Sequence, residues 1–134
     1  MLNLITSFSF LFTSIYSYYS NYLLLTVGCI MCLITSIIYH SSLLFYKKIS
    51  FISRIIDMTV THICILIFSY NFFNFHPLNL VTLGCIIYIF LVYTIFKKSN
   101  SKRGDLWHSS IHIESNIGII SMIEAYKRNN KLKS

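Results

Sequence analysis

Long apolar runs alternate with short polar or basic segments along the whole chain. A helix needs roughly 20 apolar residues to cross the hydrocarbon core of a bilayer, and the runs approach that length. The pattern therefore predicts five membrane-spanning helices with a basic tail after the last of them. Their approximate bounds are residues 2–19, 22–46, 50–72, 78–96 and 106–126, and the tail covers residues 127–134.

Local residues mark where some of these helices begin and end. Pro77 lies between the third and fourth helices, where it removes a backbone donor, and Asp105 is predicted to cap the start of the fifth. The first helix is the weakest of the five because Ser and Thr residues, among them Thr6, Ser7 and Ser17, interrupt its apolar pattern. An uncleaved signal segment is the alternative interpretation of that region.

Composition supports a membrane protein. The 134 residues are 55% hydrophobic and 11% charged, whereas average domains carry about 25% charged residues, and the mean hydropathy is +0.66. We therefore predict an all-α integral membrane bundle, a multi-pass protein that forms one domain over residues 1–134. Although the net charge is +7, the basic residues cluster between apolar runs, which indicates topology signals, and no nucleic-acid partner is expected.

The basic clusters also predict an orientation. One cluster separates the second and third helices and another separates the fourth and fifth, so alternating spans bring both to the same side of the membrane. That side is predicted to be cytosolic, because loops rich in Lys and Arg stay in the cytosol. These residues are Lys47, Lys48 and Arg54 in the first cluster and Lys97, Lys98, Lys102 and Arg103 in the second. The basic tail would then lie opposite, so its side stays open.

Ionisable side chains inside predicted spans mark functional sites by default, because burying them in lipid is costly. Four of them, His40, Asp57, His108 and His112, lie near the basic surface. At about 1.5 Å of helix rise per residue, all four fall within roughly 15 Å of it. Three different helices therefore bring polar groups to one layer.

The spacing of these residues indicates a metal site. His108 and His112 are four residues apart and share one helix face, as do Ser36 and His40. Three neutral imidazoles suit zinc and leave its fourth position for water, which Asp57 would hydrogen-bond or deprotonate. The alternatives are a hydrogen-bonding pair of histidines between helices, and an Asp57 that only pairs with Arg54 or the helix dipole.

Three motifs carry a resemblance to a known group: S-I-I-Y-H from Ser36 to His40, R-I-I-D ending at Asp57, and H-S-S-I-H from His108 to His112. They resemble the signature of the superfamily of alkaline ceramidases, progestin and adipoQ receptors and hemolysin III-like membrane proteins. The resemblance implies that the three histidines bind zinc, that Asp57 contacts the zinc-bound water, and that Ser36 supports the site. The implied activity is hydrolysis of an amide or ester bond in a membrane lipid such as a ceramide.

The chain departs from that group in length, since the group has seven spans and this sequence has room for about five. The missing spans would remove part of the lipid cavity wall, which another copy or a membrane partner would complete. The alternative function is a non-enzymatic multi-span membrane protein, either an accessory subunit or a degenerate relative. A small proton-coupled transporter ranks last, because residues 78–96 contain no ionisable side chain to continue a polar path.

Three further polar residues fall outside this scheme. His62 is predicted to form an interhelical hydrogen bond and not to be a fourth ligand. Glu114 is predicted to point away from the face of His108 and His112, and it would either face a neighbouring subunit or stay protonated in the membrane. Glu124 is predicted to lie beside Lys127 at the far interface.

Overall fold

The computed structural model describes residues 2–72, 76–95 and 104–131, and these are helical almost throughout. The six α-helices of this part of the chain are α1 (Leu2–Ser7), α2 (Ser9–Tyr19), α3 (Leu23–Phe45), α4 (Ser50–Phe72), α5 (Leu78–Ile95) and α6 (Gly104–Lys131). One turn of 3-10 helix, Lys47–Ile49, precedes α4. The all-α prediction is confirmed, and the helices follow the apolar runs closely, with the first run divided at Phe8.

Several predicted features lie outside the described residues. The basic residues of the second cluster, which are Lys97, Lys98, Lys102 and Arg103, belong to this group, as does the end of the tail from residue 132 onward. The side chain of Asp105 is also outside it, so its predicted capping bond stays a prediction.

The polar residues of α1 and α2 face inward. Asn3, Ser7 and Ser17 are buried, whereas Phe12 and Tyr19 on the opposite side are 73% and 80% exposed. Ser7 and Ser17 each donate a hydrogen bond to the carbonyl four residues earlier, which satisfies their hydroxyls within the helix. The residues that weakened the apolar pattern of this region therefore form its packed face.

The same inverted distribution, with polar side chains buried and large apolar side chains exposed, extends over the described part of the chain. More polar than apolar residues are buried there, and large hydrophobic side chains are exposed on every one of the six helices. Two helical segments, Leu23–Phe45 and Lys47–Asn71, are long and apolar enough to cross a membrane, while the apolar stretch Leu78–Val92 is shorter. A small apolar core joins α3, α4 and α6 through Leu25, Phe68, Met122 and Ile123.

The helices pack side by side in a row. The row begins with α4 and α3, continues with α1 and α2, which together occupy the next place, and ends with α6 and α5. Neighbours in this row are in extensive contact, whereas α4 reaches α6 only marginally. Over their described residues α4 and α5 do not pack against each other. The bundle is therefore an incomplete ring whose open side lies between α4 and α5.

Gly28 lets α3 and α4 approach closely, because a Cβ at this position would collide with the ring of the buried Phe68. In Gly28→Ala the collision should cost about 1–3 kcal/mol of stability, and the higher helix propensity of alanine should return roughly 1 kcal/mol. We therefore expect a net loss of stability. A lower melting temperature in detergent, followed by circular dichroism, would show this. Gly84→Ala is the matched control, since no described atom lies within 4 Å of a Cβ built there. Equal melting temperatures for the two variants would contradict the close approach.

Candidate metal centre

Three histidines converge at the end of the bundle that carries Lys47 and Lys48. His40 lies in the last turns of α3, and His108 and His112 lie one turn apart near the start of α6. One nitrogen from each ring lies within 4.8 Å of those of the other two. Their ring centroids are 4.9 to 5.3 Å apart. The three side chains are therefore close enough to hold a metal ion.

The fold explains why these rings meet. The chain of α3 ends and that of α6 begins at the same end of the bundle, and the spacing of four residues puts both α6 histidines on one face. Over the described residues the backbones of α3 and α6 do not pack directly, because α1 lies against both helices. The imidazoles fill the space that this arrangement leaves between α3 and α6.

The burial of the rings fits a ligand role. His40 and His112 are buried, and His108 is half-buried. His40 Nε2 is enclosed, and no hydrogen-bond partner for it lies among the described residues. Buried polar atoms are nearly always satisfied, so a cation at the centre of the cluster would supply the missing interaction for this nitrogen.

Ser36 and the first helix complete the surroundings of His112. Ser36 Oγ lies 3.4 Å from His112 Nε2 and 2.8 Å from Ser7 Oγ. Thr6 Oγ1 lies 3.0 Å from His112 Nδ1, on the other side of the ring. Thr6 and Ser7 were not predicted from the sequence as site residues, although their polar side chains in an apolar helix are the signal that marks them.

Asp57 is buried on α4 beside this cluster. Its Oδ1 accepts a hydrogen bond of 2.9 Å from Thr35 Oγ1, and in the described part of the chain no ion pair joins it to Arg54. It is not a member of the group of converging ligand atoms, but it lines the same cavity as Ser36 and the two α6 histidines. Asp57 therefore faces the site without joining the ligand set.

The cavity has a volume of about 560 Å³ and runs from the histidines toward the open side of the bundle. Beyond Asp57 its walls are mainly apolar, with contributions from Ile65, Ile86, Ile89 and Phe90. A smaller cavity of about 50 Å³ shares several of these residues and reaches Phe68 and Met122. From Asp57 to Phe68 the helix rises by roughly 16 Å, so the two cavities together form a long apolar groove with a polar end.

The three outlying polar residues have definite positions. His62 is exposed and donates from Nδ1 to the Met58 carbonyl of its own helix at 2.6 Å, so the predicted interhelical bond is wrong. Glu114 accepts a bond of 3.3 Å from Cys85 Sγ, which places its carboxylate against α5. Glu124 lies 3.0 Å from Lys127, as predicted.

Comparisons with family models, characterised proteins and solved structures found no match for this chain.

Proposed function

We propose that the chain is a multi-pass membrane hydrolase that uses zinc to cleave an amide or ester bond in a lipid. One observation carries the proposal: the imidazoles of His40, His108 and His112 converge, and those of His108 and His112 line a largely apolar cavity that also contains the carboxylate of Asp57. A metal ligand set, a candidate base and a binding site for an apolar chain thus occupy one space.

Zinc fits this ligand set. It binds imidazole nitrogen at about 2.0–2.1 Å, and in its catalytic sites three protein ligands leave the fourth position open. Tetrahedral geometry at these bond lengths separates the nitrogens by about 3.4 Å. The present separations of up to 4.8 Å are wider than that, so the rings would move together by roughly 1 Å on binding. Side-chain rotation supplies such a movement without a change in the helices.

The inverted distribution of polar and apolar residues supports a membrane location. Exposed hydrophobic residues on all the helices suit contact with lipid, and buried hydroxyl groups suit helix packing within a bilayer. We infer five spans, formed by α1 with α2 and by α3, α4, α5 and α6. Lys47 and Lys48, beside the histidines, favour a site near the cytosolic side.

The chain's own residues have separate roles in this proposal. The three histidines hold the zinc, which when bound acidifies water and polarises a carbonyl group. Asp57 accepts the proton of the attacking water at Oδ2, since Thr35 occupies Oδ1. Ser36, whose Oγ lies 3.4 Å from His112 Nε2, supports the site from beside the ligands. The apolar walls bind the acyl chain and limit access of bulk water.

The open side between α4 and α5 supports a lipid substrate. A lipid diffusing in the bilayer would enter sideways between these helices and place its acyl chain along the groove, with its amide or ester group toward the histidines. Substrates dissolved in water would have to cross the apolar walls to reach the same point.

The same open side favours one alternative, a non-enzymatic subunit of a membrane assembly. In that case a second copy of the chain or a membrane partner would cover the gap between α4 and α5, and the histidines would serve structure alone. The lipid assay below separates the two functions.

The test uses purified protein in detergent, loaded with zinc and incubated with a ceramide and, separately, with a phosphatidylcholine. We expect release of fatty acid from at least one of them, measured by mass spectrometry, and its fall to background after removal of zinc with a chelator. His76→Ala is the matched control and is expected to keep full activity, because His76 lies outside the converging group and lines neither cavity. Intact lipids in the presence of protein carrying one zinc per chain would reject the hydrolase and leave the non-enzymatic alternative.

A further inference from the structure

The hydroxyl of Thr6 contacts one of the two ring nitrogens of His112. Thr6 Oγ1 lies 3.1 Å from the Asn3 carbonyl oxygen, which can only accept, and this contact gives the single hydroxyl proton of Thr6 an acceptor within its own helix. Toward His112 Nδ1, at 3.0 Å, the same oxygen must then act as the acceptor. With the Thr6 proton on the Asn3 carbonyl oxygen, Nδ1 carries the hydrogen of the neutral ring.

This tautomer prepares the ring for a metal ion. A neutral imidazole protonated on Nδ1 keeps its lone pair on Nε2, the nitrogen that faces Ser36. Metal-binding histidines commonly donate their other N–H to an oxygen, which fixes the tautomer and the direction of the ring. Thr6 occupies that position for His112.

A second hydroxyl chain has the same direction. Ser7 Oγ lies 2.8 Å from the Asn3 carbonyl oxygen; when its proton is donated there, the Ser36 hydroxyl is the donor in the contact of 2.8 Å between Ser36 and Ser7. Ser36 Oγ then has only lone pairs for His112 Nε2, 3.4 Å away. Two acceptors facing each other in a buried space repel unless a cation or a donor lies beside them.

We infer that α1 is a positioning segment for the metal centre: Thr6 fixes the tautomer of His112, and Ser7 directs the Ser36 hydroxyl away from the ligands. Both chains of hydrogen bonds end on the carbonyl oxygen of Asn3, so every proton in them points away from the centre and lone pairs point toward it. The inference rests on the metal site of the proposed function and extends it to residues that do not touch the metal.

The first test removes the hydroxyl of Thr6. We expect Thr6→Val to weaken zinc affinity about 10–100-fold, the range seen when an outer partner of a metal ligand is lost. Thr6→Ser, which restores an acceptor, is expected to bind zinc nearly as tightly as the unchanged protein. Affinity would be measured by competition with a chromogenic chelator. Thr26→Val is the matched control, since the Thr26 hydroxyl donates to a carbonyl of its own helix, that of Tyr22.

The second test reads the tautomer directly in metal-free protein. Nitrogen-15 chemical shifts of the His112 ring should show hydrogen on Nδ1, and a mixture of both tautomers in Thr6→Val. A ring carrying hydrogen on Nε2 in the unchanged protein would overturn the inference, whatever the behaviour of the variants. Zinc binding that Thr6→Val leaves unaltered would also overturn it while leaving the metal site intact. A failure of the unchanged protein to bind zinc would instead remove the proposed function.

Discussion

Replacing His108 and His112 together by alanine should abolish stoichiometric zinc binding. The two residues supply two of the three converging nitrogens, and the remaining His40 would hold an ion through a single bond. The loss of affinity should therefore exceed the roughly 10–100-fold penalty for removing one outer partner. We expect metal analysis of the purified double variant to find far less than one zinc per chain, where the unchanged protein carries about one.

The controls for this experiment separate ligand loss from misfolding. His108 and His112 lie near the start of α6, away from the apolar core around Leu25 and Ile123, so circular dichroism of the double variant should retain its helical signal. His62→Ala should bind zinc as the unchanged protein does. A double variant that is folded and still holds one zinc per chain would exclude the histidine cluster as the metal site.

Asp57→Asn should separate metal binding from hydrolysis. The carboxylate lies outside the group of converging ligands, and asparagine keeps its size and an oxygen that can accept the Thr35 hydroxyl. Zinc content should therefore stay at about one per chain. Asparagine cannot take up a proton at this position, so lipid hydrolysis should fall by about 10²–10⁴, the usual contribution of a positioned general base.

Zinc content and turnover should be measured on the same preparation, so that loss of the metal can be distinguished from loss of the base. Glu124→Gln is the matched control, because Glu124 is also a half-buried carboxylate but lies outside both cavities, beside Lys127. That variant should keep both metal and activity. Loss of zinc from Asp57→Asn would make Asp57 a ligand, and unchanged turnover would remove its role as base.

The sequence predicted the helices well because apolar runs of this length leave few alternatives. The four ionisable residues were predicted to share a layer from their distance to the basic clusters, and the spacing of four residues correctly put His108 and His112 on one face. The convergence of His40 with them depended on the order in which the helices pack. That order is a property of the folded chain which periodicity does not contain.

The contribution of α1 was harder to predict for a physical reason. A hydroxyl in an apolar helix weakens the hydropathy signal equally whether it faces lipid or the bundle interior. Thr6 and Ser7 can be assigned to the site only through their contacts with His112 and Ser36, which are more than 25 residues away in sequence. The division of the first helix at Phe8 was also not predicted, because no proline or glycine lies there to indicate it.

The gap between α4 and α5 has a consequence for how this protein holds together. Because α4 is secured mainly by α3 and has only a marginal contact with α6, an occupant of the groove would replace the wall that a neighbouring helix usually provides. By mass action, anything that binds only the folded state raises its stability. In the proposed membrane location, bilayer composition would therefore act on this protein as a solvent does and would set how tightly its outermost helix is held.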